Sequence, residues 1–161
     1  MDSPPTVEIR KALRTELSSI VRLLADDKLG RTRESYESPF PASYATAFDE
    51  ISNSDSNELL VALSENKVVG VLQITFIPYL TFKGGKRALI EGVRVDSDYR
   101  SQGIGRLMIL EAIGRAKKRS CHMIQLTSNK SRPEAIQFYR SLGFEPTHEG
   151  LKLSIEDNHG T

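Results

Sequence analysis

Cysteine is almost missing from this chain: Cys121 is alone among 161 residues. No internal disulfide is available, so a disulfide-stapled fold is excluded. Tryptophan is absent and aromatic residues make up only 7%, too few for the interleaved aromatic and basic surface of a nucleic-acid binder. No apolar run approaches the ~20 residues that span a bilayer, and the start Met1-Asp2-Ser3-Pro4-Pro5 lacks the basic-then-apolar layout of a secretory signal. A cytoplasmic protein without membrane partners is expected. Charge of one sign is also lacking, since 22 basic and 21 acidic side chains leave a formal net charge of +1. A field broad enough to attract nucleic acid is excluded, and any anion site must be local.

What remains is enough for one domain. A chain of this length buries ~70% of the surface it exposes when unfolded, and 39% hydrophobic residues supply a core. A single domain over residues 1–161, with its core at about 6–155, is expected. Apolar periodicity predicts strands at 7–12, 58–63, 68–77, 87–95, 123–127, 144–147 and 151–155. It predicts helices from Thr15, where Leu17, Ile20, Val21 and Leu24 fall on one face, at 42–51, at 103–119 and at 131–143. Residues 28–41 read as a loop, and 64–67 as the turn of a hairpin. The order describes an α+β domain whose sheet is covered by helices. Cys121, between a helix and a strand, reads as a packed thiol.

The most informative stretch is 93–107, a strand that runs through Asp96-Ser97-Asp98-Tyr99 into Arg100-Ser101-Gln102-Gly103-Ile104-Gly105-Arg106 at a helix start. The first N–H groups of a helix have no internal partner and its dipole is positive there, so glycines that admit an anion make a phosphate cradle. Arg100 and Arg106 add charge. A dinucleotide fingerprint would need glycine at Met108, and a nucleoside-triphosphate loop would need Gly-Lys-Ser/Thr; neither is present. Along strand 87–95, Leu89, Glu91, Val93 and Val95 share one parity, and Gly92 in its interior predicts a bulge that re-aims Glu91. His122 and His159 read as surface residues. With no second ligand in local spacing, no metal site is expected.

Arg100, Gly103 and Gly105 match the acetyl-coenzyme A signature Arg/Gln-x-x-Gly-x-Gly/Ala, and the segment from Arg132 to Phe144 matches Asn/Arg-x-x-Ala-x-x-Phe-Tyr-x-x-x-Gly-Phe. On these two motifs the chain resembles the GNAT N-acetyltransferases. The resemblance implies a mixed, mostly antiparallel, seven-stranded sheet with helices on both faces and a splay between the fourth and fifth strands. It implies acetyl-CoA as cosubstrate and an N-acetyltransferase moving acetyl to a primary amine of a small molecule. By the same resemblance Val93, Arg94 and Val95 meet pantetheine, residues 100–106 hold the pyrophosphate, and Asn129 or Arg132 contacts coenzyme A. Tyr139 would be the acid and Glu91 the base, a solvated Glu91 being the other reading, and His148 would border the acceptor. The Asn129-Lys130-Ser131-Arg132 spacing is similar to that of aminoalkylphosphonate acetyltransferases, and homodimers are frequent in the family. A coenzyme A-binding regulatory or interaction module of the same fold, without turnover, is the alternative.

Overall fold

The structure, a computed structural model, describes residues 6–155. Two compact units divide between Leu126 and Thr127. The first carries a five-stranded sheet in the order β1-β2-β3-β4-β5, formed by Val7–Lys11, Asn57–Ser64, Lys67–Pro78, Lys86–Val95 and Met123–Leu126. The first four strands pair antiparallel, and β5 runs parallel to β4. Hairpin β2–β3 turns at the expected residues: Ser64 pairs with Lys67, and the two residues between, Glu65 and Asn66, both take positive φ (49° and 64°). That is the twist a two-residue hairpin turn requires.

Helices cover both faces. On one, Ile20 and Leu23 of α1 (Leu17–Ala25) pack with Val61, Leu63, Val68 and Val71. Residues of the opposite parity, among them Leu60 and Leu72, are buried toward α5 (Ile104–Lys118), whose Met108, Ile109 and Ala112 are also buried. Glu58 shares that face, and only 6% of it is exposed. Its carboxylate meets Arg115 (2.7 Å) and Arg119 (3.2 Å), so the basic end of α5 is bonded to the sheet as well as packed on it. Between α1 and β2 the chain forms the short α2 (Gly30–Arg33), inside the segment expected as a loop, and α3 (Ala42–Ser52). A single turn, α4 (Thr81–Gly84), links β3 to β4.

The second unit holds α6 (Pro133–Ser141), which opens on Pro133 and stops before Gly143 at φ 94°. The expectation of seven strands is corrected to five among the described residues: neither 144–147 nor 151–155 is a strand. The Phe144 N–H bonds back to the Tyr139 carbonyl (3.1 Å), the Thr147 N–H to that of Glu145 (2.9 Å), and Pro146 has no N–H to give. Leu151, Leu153 and Ile155 keep their alternation but are exposed. His159 and the rest of 156–161 lie outside the described residues.

Candidate functional site

The predicted bulge is present, and it changes more than one side chain. Gln73 pairs with Glu91 and Val71 with Arg94, so two steps along β3 match three along β4. Gly92 absorbs the extra residue at φ 63°, a conformation open to glycine at little cost. Alternation is thereby reversed. Glu91 and Arg94 both lie on the α1 side, opposite Gln73 and Val71, which breaks the shared parity of Glu91, Val93 and Val95 read from sequence. Pairing of β4 with β5 ends at Ile90 and Leu126. Beyond it no described strand lies on the β5 side of residues 91–95, whose Glu91 is exposed and whose Val93 and Val95 are half-buried.

From Val95 the chain enters a short 3-10 turn, Ser97–Tyr99, held by Asp96. This carboxylate is 3% exposed. One oxygen accepts the Asp98 N–H (3.0 Å), and the other meets Arg22 (3.2 Å) and Lys67 (3.5 Å). Burial pushes its carboxyl up, but the Asp98 amide and the two cations outweigh burial and hold it below the usual value. Such a group stabilises the fold above about pH 4 and loses that contribution as pH falls through its depressed value. Because Arg22 and Lys67 are themselves partly exposed, Asp96→Asn is expected to destabilise by about 1–2 kcal/mol at pH 7. The penalty should shrink from pH 5 to pH 2. Urea melts across that range check it, and a pH-independent penalty would contradict the assignment. Sequence reasoning missed Asp96, although an Asp two residues before another polar residue at a strand end is a capping signal.

Past this turn Ser101 (φ 62°) and Gly103 (φ 82°) are left-handed, and Gly103 caps α5. The first α-helical bond runs from the Leu107 N–H to the Gly103 carbonyl (3.0 Å). The N–H groups of Ile104, Gly105 and Arg106 therefore have no acceptor within the helix. A Cβ on Gly103 would meet nothing within 4 Å beyond its chain neighbours, so the cap is open at that position. Arg100 and Arg106 are exposed; Arg100 Nε also reaches the Val95 carbonyl (3.3 Å), and Gln102 bonds the Asp98 carbonyl (3.2 Å). Ile104 is buried, leaving only its main chain to the site. The structure thus gathers residues 91–106 into one continuous surface feature, a donor-lined helix end beside a strand edge, suited to an extended anion.

Arg94 is different from its neighbours. Its guanidinium meets Asp27 (3.3 Å) and its own Val93 carbonyl (2.7 Å), and its main chain pairs with Val71 of β3, so the expected contact of Arg94 with a cosubstrate has no outward-facing group behind it. In the second unit Asn129 turns inward on its own loop, its side chain accepting the Ser131 N–H (2.9 Å) and its carbonyl the Arg132 N–H (2.9 Å). Tyr139 is half-buried, its ring edge-on to Phe138 (5.2 Å) and Phe144 (5.8 Å). His148 is exposed and bonded to the Thr147 hydroxyl (2.7 Å). Burial pushes the Cys121 thiol up, which keeps it protonated and poor as a nucleophile near neutral pH. Among the described residues no three His, Cys, Asp or Glu side chains form a group that could hold a metal ion, and no helix is long and apolar enough to cross a membrane.

Residues 24–144 match the acetyltransferase (GNAT) family, across both units. An uncharacterized N-acetyltransferase of Methanocaldococcus jannaschii is 43% identical over 58 residues, 36% of this chain and 26% of that protein. The glucosamine 6-phosphate N-acetyltransferase of Trypanosoma brucei brucei is 27% identical over 89 residues, 55% of this chain and 58% of that protein. The chain therefore spans less than two thirds of either curated relative. A solved structure described as a transcriptional regulator from Bacillus halodurans C-125 is 54% identical, with a TM-score of 0.91, over 92% of this chain and 99% of that one.

Proposed function

Because the chain belongs to the acetyltransferase (GNAT) family, we propose that it is an acetyl-CoA-dependent N-acetyltransferase that moves acetyl to the primary amine of a small molecule by direct attack in a ternary complex. The observation that carries the reading is the junction of a bulged strand with a free edge and a glycine-opened helix N-terminus, within residues 91–105. Two relatives by sequence are named N-acetyltransferases, the first of them uncharacterized. One of them acts on a phosphorylated amino sugar, which is a small amine.

In this reading the pyrophosphate rests on the N–H groups at the start of α5, with Arg100 and Arg106 adding charge. Pantetheine lies along the open edge of β4, where main-chain groups of Val93 and Val95 bond it as a neighbouring strand would. The Val93 N–H polarises the thioester carbonyl. Glu91, on the exposed face of the bulge, takes the ammonium proton through water. The freed nitrogen attacks the carbonyl carbon, the C–S bond breaks, the thiolate leaves with a proton from Tyr139, and the second proton that the acetylated nitrogen sheds returns through water to the Tyr139 phenolate. The products are an acetamide and coenzyme A, with no covalent enzyme intermediate.

Glu91→Gln tests the base. Gln keeps size and hydrogen bonding but accepts no proton, while an alkyl ammonium with a pKa near ~10.4 must lose one. The deficit in kcat/KM is expected to be largest near neutral pH and to shrink as pH rises toward the amine's own pKa. Parallel pH profiles for the two proteins would remove Glu91 from the mechanism and leave solvent as the acceptor. A second reading, a coenzyme A-binding regulatory module without turnover, is favoured by one observation: the 54% identical structure is described as a transcriptional regulator. Acetyl transfer by the purified protein separates the two.

A further inference from the structure

The segment that follows α1 has little apolar anchorage. In α2 only Gly30 is buried, and residues 35–39 are all exposed. Gly30 itself sits hard against α1, since a Cβ there would lie 1.9 Å from the Leu24 carbonyl oxygen. What holds the segment is a run of polar contacts that begins on the bulged strand. Arg94, 15% exposed at its side chain, meets Asp27, 13% exposed, at 3.3 Å. The same Asp27 oxygen accepts the Gly30 N–H at the start of α2 (3.3 Å). At the other end of α2, Glu34 bonds Arg33 (2.8 Å) and accepts the Tyr44 hydroxyl of α3 (2.8 Å), and that hydroxyl accepts the Ser35 N–H (3.0 Å). Burial pushes the Glu34 carboxyl up, yet the Tyr44 hydroxyl, Arg33 and the charge of Arg94 bring it below its ordinary value. One half-sequestered cation on β4 therefore faces two carboxylates that bracket α2.

Arg94 reaches this place only because of the bulge. With regular alternation from Glu91, residue 94 would point to the α5 side; the extra residue at Gly92 turns it to the α1 side, the side that Glu91 also takes. Building on the amine-acetyltransferase reading above, we infer that Arg94 is a positioning residue for the acceptor, a strut from the bulge through Asp27 that sets the 27–44 segment relative to Glu91. Since Asp27 meets Arg94 on the same side of the sheet as Glu91, where the ammonium would lose its proton, the bulge, the base and the 27–44 segment are then one mechanical unit, and Arg94 governs acceptor affinity without touching the reacting atoms. A lysine at 94 would keep the charge but present a compact point donor in place of the planar fork that spans Asp27 and the Val93 carbonyl.

The test compares wild type with Arg94→Met, Asp27→Asn and their double variant by hydrogen exchange, acetyl-CoA calorimetry and steady-state kinetics with one confirmed amine. Amide exchange over 27–44 is expected to quicken at least tenfold in Arg94→Met, with β2 and β3 amides unchanged. The acceptor KM should rise about tenfold or more while the acetyl-CoA Kd stays within twofold, and the double variant should be little worse than either single one. Arg94→Lys, which serves if Arg94→Met does not fold, should fall between. Unchanged exchange over 27–44, or faster exchange with an unchanged acceptor KM, would overturn the inference. A wild type that binds acetyl-CoA but acetylates no amine would instead overturn the functional reading, and the exchange data would still decide whether the strut exists.

Discussion

Tyr139→Phe is expected to lower turnover about 100-fold or more at saturating acetyl-CoA, the usual contribution of a positioned general acid, while leaving acetyl-CoA affinity within about twofold. The substitution deletes only the hydroxyl. The ring can keep its edge contacts with Phe138 and Phe144, and the turn that closes α6 uses the Tyr139 main chain, which accepts the Phe144 N–H. A phenol, with an ordinary pKa of ~10, can protonate a thiolate whose conjugate acid lies near ~8.5. The phenylalanine variant must release an unprotonated thiolate or wait for water. Calorimetry and steady-state rates on the same preparation check both halves. Wild-type turnover would assign Tyr139 to packing.

Gly103→Val is expected to weaken acetyl-CoA binding by about 100-fold or more, the loss of roughly two charge-assisted hydrogen bonds at about 1.5 kcal/mol each. The effect on folding should be much smaller. Beyond its two chain neighbours, no protein atom lies within 4 Å of a Cβ built at Gly103, so the main cost to folding is strain from φ 82°. That strain is worth about 1–2 kcal/mol, a fall of several degrees in Tm for a domain of this size. In the proposed reading, a valine there would narrow the approach of a phosphate to the Ile104, Gly105 and Arg106 amides. Free pantetheine, which has no pyrophosphate, provides the control: its binding should differ little between the variant and wild type. Equal acetyl-CoA affinity in both would show that the α5 N-terminus does not carry the phosphates.

The parts of the site legible in the sequence are those where one residue type answers one geometric demand. Gly92 inside a strand announced the bulge, because that position needs positive φ, whereas Gly103, expected as the first helical residue, is the left-handed N-cap before the helix. The sequence did not disclose that the bulge would carry Arg94 to the α1 side. That depends on how many residues of β3 oppose β4, a non-local count. For the same reason α2 was read as loop: its four residues have no apolar stripe and are bracketed by Asp27, 67 positions from its partner Arg94, and by Glu34, bonded to Tyr44. Asp96 was passed over because its two cations come from α1 and the start of β3.

The closing strands failed in the opposite way. Leu151-Lys152-Leu153-Ser154-Ile155 alternates as well as any strand in the chain, but alternation reports a pleat and not a partner. Pro146 and the local bonds of Phe144 and Thr147 left the preceding segment no ladder to offer. The second unit therefore presents its family motif, from Arg132 to Phe144, as one helix and its capping turn.

The proposed activity is acetyl transfer from acetyl-CoA to an amine. Its most direct test is thiol release by the purified protein with acetyl-CoA and a panel of small primary amines that includes amino sugars, their phosphates and aminoalkylphosphonates. Amine-dependent release of coenzyme A, with a matching acetylated product by mass and loss of signal in Tyr139→Phe, is the predicted result. Saturable binding of acetyl-CoA with no amine-dependent release across the panel would contradict it and leave the regulatory reading standing.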